Sequence, residues 1–248
     1  MENHKLVACM LDMGEILLTS GAEVNRIEDT LARIGAAYHF QRVDVFTITA
    51  SIVLTVHTAD GEIITQTRRI KGAQVDMERI DKVNYLSRKI CEKEPAVKYI
   101  ENEIREIKNI TGYPEWLIGI AYFCVAGAFA VFFGGDIMDG AAAGIAAVVL
   151  RVMLRIGQRI RMNALFLNMM CSAVVGIVVM VLTRIGIGHS VDEIVIGNVM
   201  LLIPGVALTT SLRDIIGGDI ISGLLEMTEA ILKAAAIAMG FAVLLLPL

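Results

Sequence analysis

Residues 113–248 hold only 16 charged side chains in 136 positions, whereas the first 112 residues hold 32. This split constrains the fold more than any single motif. The second part contains four long apolar segments, at roughly 115–133, 137–154, 162–184 and 220–246. Each reaches or approaches the ~20 residues that cross a ~30 Å hydrocarbon core. A fifth segment, roughly 193–213, is interrupted by Pro204-Gly205. The expectation is an α-helical multi-pass membrane protein: five transmembrane helices over 113–248 and an N-terminal cytosolic α+β domain over 1–112. The chain is 56% hydrophobic and 19% charged, against about 45–50% and about 25% in ordinary globular proteins. That excludes disorder, collagen and a disulfide mini-protein. A net charge of −4 leaves no basic excess for nucleic acid.

In the first 112 residues, Val7, Met10, Leu11, Gly14, Leu17 and Leu18 recur three and four apart, as on one helix stripe. A second stripe runs through Val24, Ile27, Leu31, Ile34 and Tyr38. Between them, Ser20-Gly21-Ala22-Glu23 has capping-box spacing, which predicts that Ser20 and Glu23 start the second helix. Residues 42–70 change period and are rich in Thr and β-branched residues, which predicts two or three antiparallel strands with a turn at Ala59-Asp60-Gly61. Helical spacing returns at Ile80, Val83, Leu86 and Ile90, stops at Pro95, and resumes from Val97 to Ile110. The order ααβββαα describes a small α+β domain.

Loop charges set the expected orientation. Arg151, Arg155, Arg159 and Arg161 cluster in one stretch, and the loops near 134–136 and 185–192 carry no Lys or Arg. The positive-inside rule makes the Arg stretch cytoplasmic. Parity then places the N-terminal domain inside the cell and the C-terminus outside. No signal peptide is expected, because Asp12 and Glu15 break the first apolar stretch. Arg151, Arg155 and Arg159 are read as a solvated face. Gly140 and Gly144 form a G-x-x-x-G stretch whose small side chains let another helix approach. Cys9, Cys91, Cys124 and Cys171 are widely spaced and read as buried thiols. The sequence points to no metal or cofactor.

The chemistry concentrates near 198–233. Pro204 removes an amide donor and Gly205 loosens the backbone. In lipid, the freed groups must meet protein or a watery cavity, and broken helices of this kind form transporter sites. Asn198 precedes the break. Thr209 and Thr210 follow it with hydroxyls, and Arg213 and Asp214 with charge. Asp219 opens the last helix, where Ser222, Glu226, Glu229 and Lys233 fall at spacings of four, three and four. A mid-bilayer charge costs at least about 2.5–3.5 kcal/mol, so this face is expected to pair internally or line a water path. Glu229 and Lys233 form an i,i+4 pair that permits the first of these. Titration of Glu226 or Glu229 during transport is the other.

These residues also carry a resemblance. Gly21-Ala22-Glu23-Val24-Asn25-Arg26-Ile27-Glu28-Asp29-Thr30 is similar to the G-A-E-x-x-R-x-E-D-T signature of the threonine/serine exporter family. Val43-Asp44-Val45-Phe46 resembles the opening of its strand region. Leu201 to Thr209, followed by Arg213-Asp214 and Gly218-Asp219, is similar to its membrane motif. Thr210, where Asn is common, and Lys233 depart from it. The resemblance implies secondary, proton-driven export of small polar metabolites across the cell (inner) membrane: threonine or serine in some members, succinate in a two-subunit relative. Full-length members carry ten transmembrane helices, so this chain looks like the N-terminal-half type that pairs with a second five-helix subunit. The resemblance carries no residue role into the cytosolic motif of Gly21, Glu23, Arg26, Glu28 and Asp29. A membrane-anchored hydrolase using Glu23, Glu28, Asp29, His39 and His57, or a sensor module in which the soluble domain gates the helices, remains the alternative reading.

Overall fold

The computed structural model describes residues 2–72 and 74–242. Its elements are α1 (Glu2–Thr19), α2 (Val24–Ala37), β1 (Arg42–Ile48), β2 (Ser51–His57), β3 (Ile63–Arg69), α3 (Met77–Lys93) and α4 (Val97–Lys108), followed by α5 (Glu115–Phe132), α6 (Ile137–Arg159), α7 (Ala164–Arg184), α8 (Val191–Leu202), α9 (Gly205–Gly217) and α10 (Ile220–Phe241). They fall into two units. The first joins Met1–Thr111 with Gly205–Thr228. The second comprises the described residues of Gly112–Pro204 and Glu229–Leu248.

In the first unit α1 is buried on nearly every side, by Leu6, Cys9, Met13 and Ile16 as well as the expected stripe. A helix apolar all round belongs in a core, and α1 packs on α2, α3, α4, β2 and β3. The sheet is antiparallel in the order β1-β2-β3, with Val45 opposite Leu54 and Leu54 opposite Gln66. Ile52, Leu54 and Val56 point inward and are fully buried. The intervening residues are half-buried, as the period of two requires when one face is covered. A Cβ at Gly14 would stand 3.1 Å from Ile52 and 3.2 Å from Leu31, so a bare backbone lets α1 approach both strand and helix. Asp76 caps α3 by accepting from Arg79 N at 3.0 Å. Glu94, at φ 41°, ends α3 just before Pro95.

The Ser20/Glu23 capping box does not form. The segment is instead the C-terminal cap of α1: Ala22 N donates to Leu17 O (3.0 Å) and Gly21 N to Leu18 O (3.2 Å), with Gly21 at φ 86°. This is the pattern of a helix ending on a left-handed glycine. Glu23 is the N-cap of α2 but makes no side-chain cap bond.

In the second unit α5 and α6 approach through small residues. A Cβ on Gly127 would lie 2.8 Å from Gly140 O, and one on Gly144 would meet the Phe123 ring at 2.6 Å. Ala126, Ala130, Ala142, Ala143, Ala146 and Ala147 are fully buried around them. Gly140 and Gly144 therefore serve packing within the chain. Gly197 brings α8 onto α5, its missing Cβ 2.5 Å from Ala126 O. Gly240 does the same for the end of α10 against α7, 2.3 Å from Met169 O. Helices α5, α6 and α7 are long and apolar enough to cross a membrane, and α8 with α9 add a fourth crossing if the bent pair is one span. Cys9 and Cys171 are buried as expected, but Cys91 and Cys124 are exposed, because each lies on the outer face of its helix.

Replacing Gly127 by Val should lower stability by about 1–3 kcal/mol, the usual cost of overpacking a close contact. Gly119→Ala, whose Cβ meets nothing within 4 Å, should not. Thermal unfolding of the two variants in detergent checks this.

Candidate functional site at the broken helix

The helix predicted over 193–213 is broken where expected: α8 ends at Leu202 and α9 begins at Gly205. Beyond the break, α9 and the start of α10 form an antiparallel pair joined by Gly217-Gly218, with Gly218 at φ 103°. Gly223 makes the close approach possible, since a Cβ there would stand 2.6 Å from Ser211 O.

Side chains from this pair meet the N-terminal elements of the same unit. Asp214 is 4% exposed and accepts from Val24 N at 3.3 Å across 190 positions of sequence. Val24 is the first residue of α2, so its amide is one of the donors every helix start leaves unpaired. Asp214 supplies what Glu23 does not, and a carboxylate there also meets the positive end of the helix dipole. Glu23 turns instead to its neighbour Arg213, with which it forms an ion pair. Asp219, Glu23 and Glu226 all bear electrostatically on Asp214. Thr210 donates to Glu226 Oε1 at 3.1 Å, linking α9 to α10. Ser222, 2% exposed, donates to the Thr47 carbonyl of β1 at 3.4 Å. Thr209 turns back on its own helix, donating to Gly205 O and Val206 O.

The remaining sequence candidates lie elsewhere. Asn198, fully buried in the second unit, donates to Ala143 O (3.3 Å) and Ile194 O (2.9 Å). Its Oδ1 has no partner among the described residues. Glu229 and Lys233 form the expected ion pair at 2.7 Å, with the Glu229 side chain 66% exposed. In the N-terminal motif, Asp29 pairs with Arg33 at 2.9 Å. Arg26 and Asp29 line a cleft of 380 Å³ between α2 and α3 with Arg33 and Arg88. Glu28 accepts from Thr47 N at 2.7 Å. Burial pushes the Glu28 carboxyl up, the Thr47 amide opposes this, and Asp219 adds to the rise. His39 stands 3.8 Å from Glu94, and His57 lies on β2. The residues that a hydrolase would need therefore engage separate partners.

Sequence reasoning missed two clusters in the second unit. Ligand atoms of Asp136, Asp139 and His189 lie within 4.8 Å of one another. Their oxygens are already committed. Asp139 accepts from the amides of Asp136, His189 and Ser190, and Asp136 accepts from Asp139 N in a true capping box. The set fastens the loop before α8 to the start of α6. Arg151, read as solvated, is only 17% exposed and pairs with Glu115 at 3.0 Å, because the antiparallel return of α6 along α5 brings the two together. The loop residue His189 lies 50 positions from Asp139 and Glu115 lies 36 from Arg151, so no local spacing signals either cluster.

Three apolar helices of membrane-spanning length, with a further apolar pair bent at Pro204, are those of a helical membrane protein. The chain belongs to the threonine/serine exporter family: residues 8–246 match the family model described as "Putative threonine/serine exporter". It is 24% identical over 245 residues to the "Probable threonine/serine exporter" of Mycobacterium tuberculosis, a match covering 97% of this chain but 46% of that protein. The chain thus spans about half the length of that relative. It is also 24% identical to the "Probable succinate transporter subunit YjjP" of Escherichia coli, over 93% of this chain and 90% of the relative. The protein of the same name from Klebsiella aerogenes is 24% identical over 90% and 86%. No solved structure matches.

Glu28 provides a pH test. Its folded-state pKa is raised, so the stability that its protonated form contributes is complete below the unfolded value, about 4.3. That contribution is lost as pH rises through the folded value. Glu28→Gln should therefore gain stability relative to the parent between pH 5 and pH 8 in thermal melts. Glu28→Ala should lose about 1–3 kcal/mol at either pH, because it orphans the Thr47 amide.

Proposed function

We propose that this chain is one subunit of a proton-coupled secondary transporter that exports small polar metabolites, threonine and serine or a dicarboxylate such as succinate, across the cell membrane. The observation that carries the reading is the Thr210–Glu226 hydrogen bond between α9 and α10, beside the buried Asp214 and directly after the Pro204 break. A hydroxyl-bound carboxylate next to further acids is the arrangement that takes up and releases a proton when a neighbouring charge moves. The names of the relatives support the substrate classes, threonine or serine in one case and succinate in two.

In this reading α10 is a fifth span, with Ser222, Glu226, Glu229 and Lys233 on the path. Asn198 offers a buried acceptor before the break, and Thr209, Thr210, Arg213, Asp214 and Asp219 follow it. The N-terminal domain with its Gly21, Glu23, Arg26, Glu28 and Asp29 motif lies in the cytoplasm, and the C-terminus lies outside. The chain matches 46% of the mycobacterial relative, and in this reading a second five-helix subunit of the same family supplies the counterpart of the remainder. Together the two would form the repeated architecture common among secondary transporters.

Glu226→Gln and Glu229→Gln should each abolish efflux of preloaded threonine, serine or succinate when both subunits are expressed, while membrane abundance stays at the parent level. Parent-level efflux of all three solutes in both variants would overturn the assignment of the path.

A further inference from the structure

A groove of 450 Å³ runs along the outside of the α5–α6 pair. Its two ends differ chemically. At one end the Glu115 carboxylate, at the start of α5, receives two guanidinium groups from the last turns of α6. Arg151 Nη2 reaches its oxygens at 3.0 and 3.2 Å, and Arg155 Nε lies 3.6 Å away. One carboxylate between two cations leaves a positive charge over. Arg151 is occupied, since it also lies over the Tyr122 ring at 5.7 Å. The surplus therefore sits with Arg155, whose side chain is 62% exposed.

The rest of the groove is apolar. Ile120 and Phe123 from α5 and Val148 and Val152 from α6 form its walls, and Trp116 flanks the charged end. Phe123 lies two turns into α5 from Glu115, so the apolar floor leads from the charged end toward the middle of the helix. Gly119 leaves the floor open, as a side chain there would meet no atom within 4 Å.

We infer that this groove binds an anionic phospholipid, its phosphate held by Arg155 beside the Arg151–Glu115 pair and one acyl chain lying over Gly119 against Phe123 and Val148. Any lipid covers an apolar helix face. A net positive charge at the head of an apolar channel, two guanidinium groups against one carboxylate, selects for a negative headgroup, as basic pockets between membrane helices do. Trp116 sits where indoles anchor at the membrane interface. The inference rests on the chain's residing in a bilayer and not on which solute it exports.

The test uses the full chain purified in detergent, with dioleoyl phosphatidylglycerol, dioleoyl phosphatidylcholine or inorganic phosphate added. It is read by native mass spectrometry and by thermal unfolding. Phosphatidylglycerol should give a bound adduct and raise the melting temperature, whereas phosphatidylcholine and phosphate should not. Arg155→Gln should weaken the adduct about fivefold, the equivalent of about 1 kcal/mol for one basic residue at an anionic surface. Gly119→Leu, which fills the floor, should abolish the adduct without changing the melting temperature in lipid-free detergent. Equal binding of the two lipids, stabilisation by phosphate alone, or undiminished adducts in both variants would overturn the proposal. So would a dimer of the parent chain that Gly119→Leu dissociates, because the groove would then hold a second copy. Efflux measured in parallel separates the two readings: lost lipid binding with efflux intact in the parent counts only against the groove, and bound lipid without efflux counts only against the transporter.

Discussion

A single carboxylate, Asp214, supplies the cap that α2 lacks. Every helix begins with amides that have no partner inside it, and the local sequence offers Val24 nothing, since Ser20 and Gly21 are used to close α1 and Glu23 faces Arg213. The acceptor arrives from α9, nearly two hundred residues later. With it come the Glu23–Arg213 ion pair and the Ser222–Thr47 bond, so that three polar links bind the α9–α10 pair to α2 and β1. Glu23 and Glu28 of the first motif and Arg213 and Asp214 of the membrane motif are thus parts of one polar cluster. This gives a physical reason for two sequence signatures so far apart to occur together in the same chain.

The second unit is built on a different rule. Its helices approach through glycine and alanine, with backbone atoms closer than any side chain would allow. Without a hydrophobic force between helices in lipid, such packing is what holds them together. The unit's buried or half-buried charges are held in place: Asp139 by three amides, Arg151 by Glu115 and the Tyr122 ring, Lys233 by Glu229.

Periodicity made the elements legible. The stripes from Val7 to Leu18 and from Val24 to Ile34 are the buried faces of α1 and α2, the alternation at Ile52, Leu54 and Val56 is the inner face of β2, and Pro95 and Pro204 mark real interruptions. Composition likewise gave the apolar helices. What stayed hidden are pairings between distant residues. Ser-x-x-Glu reads as a cap from spacing alone, but a glycine at positive φ reassigns it to the preceding helix. Arg151 reads as solvated until the antiparallel return of α6 puts Glu115 beside it. Within the candidate site the residue types were legible, whereas the link from Thr210 to Glu226 and from Asp214 to Val24 depends on tertiary placement.

Because α9 leans on α2 through a helix cap, the N-terminal portion is no detachable accessory. Cutting it away would strip Asp214 of the Val24 amide and Arg213 of the Glu23 carboxylate, and leave both charges bare on the hairpin. The N-terminal fold and the hairpin of α9 and the start of α10 belong to one unit, so any displacement of that hairpin must carry the sheet and its helices along.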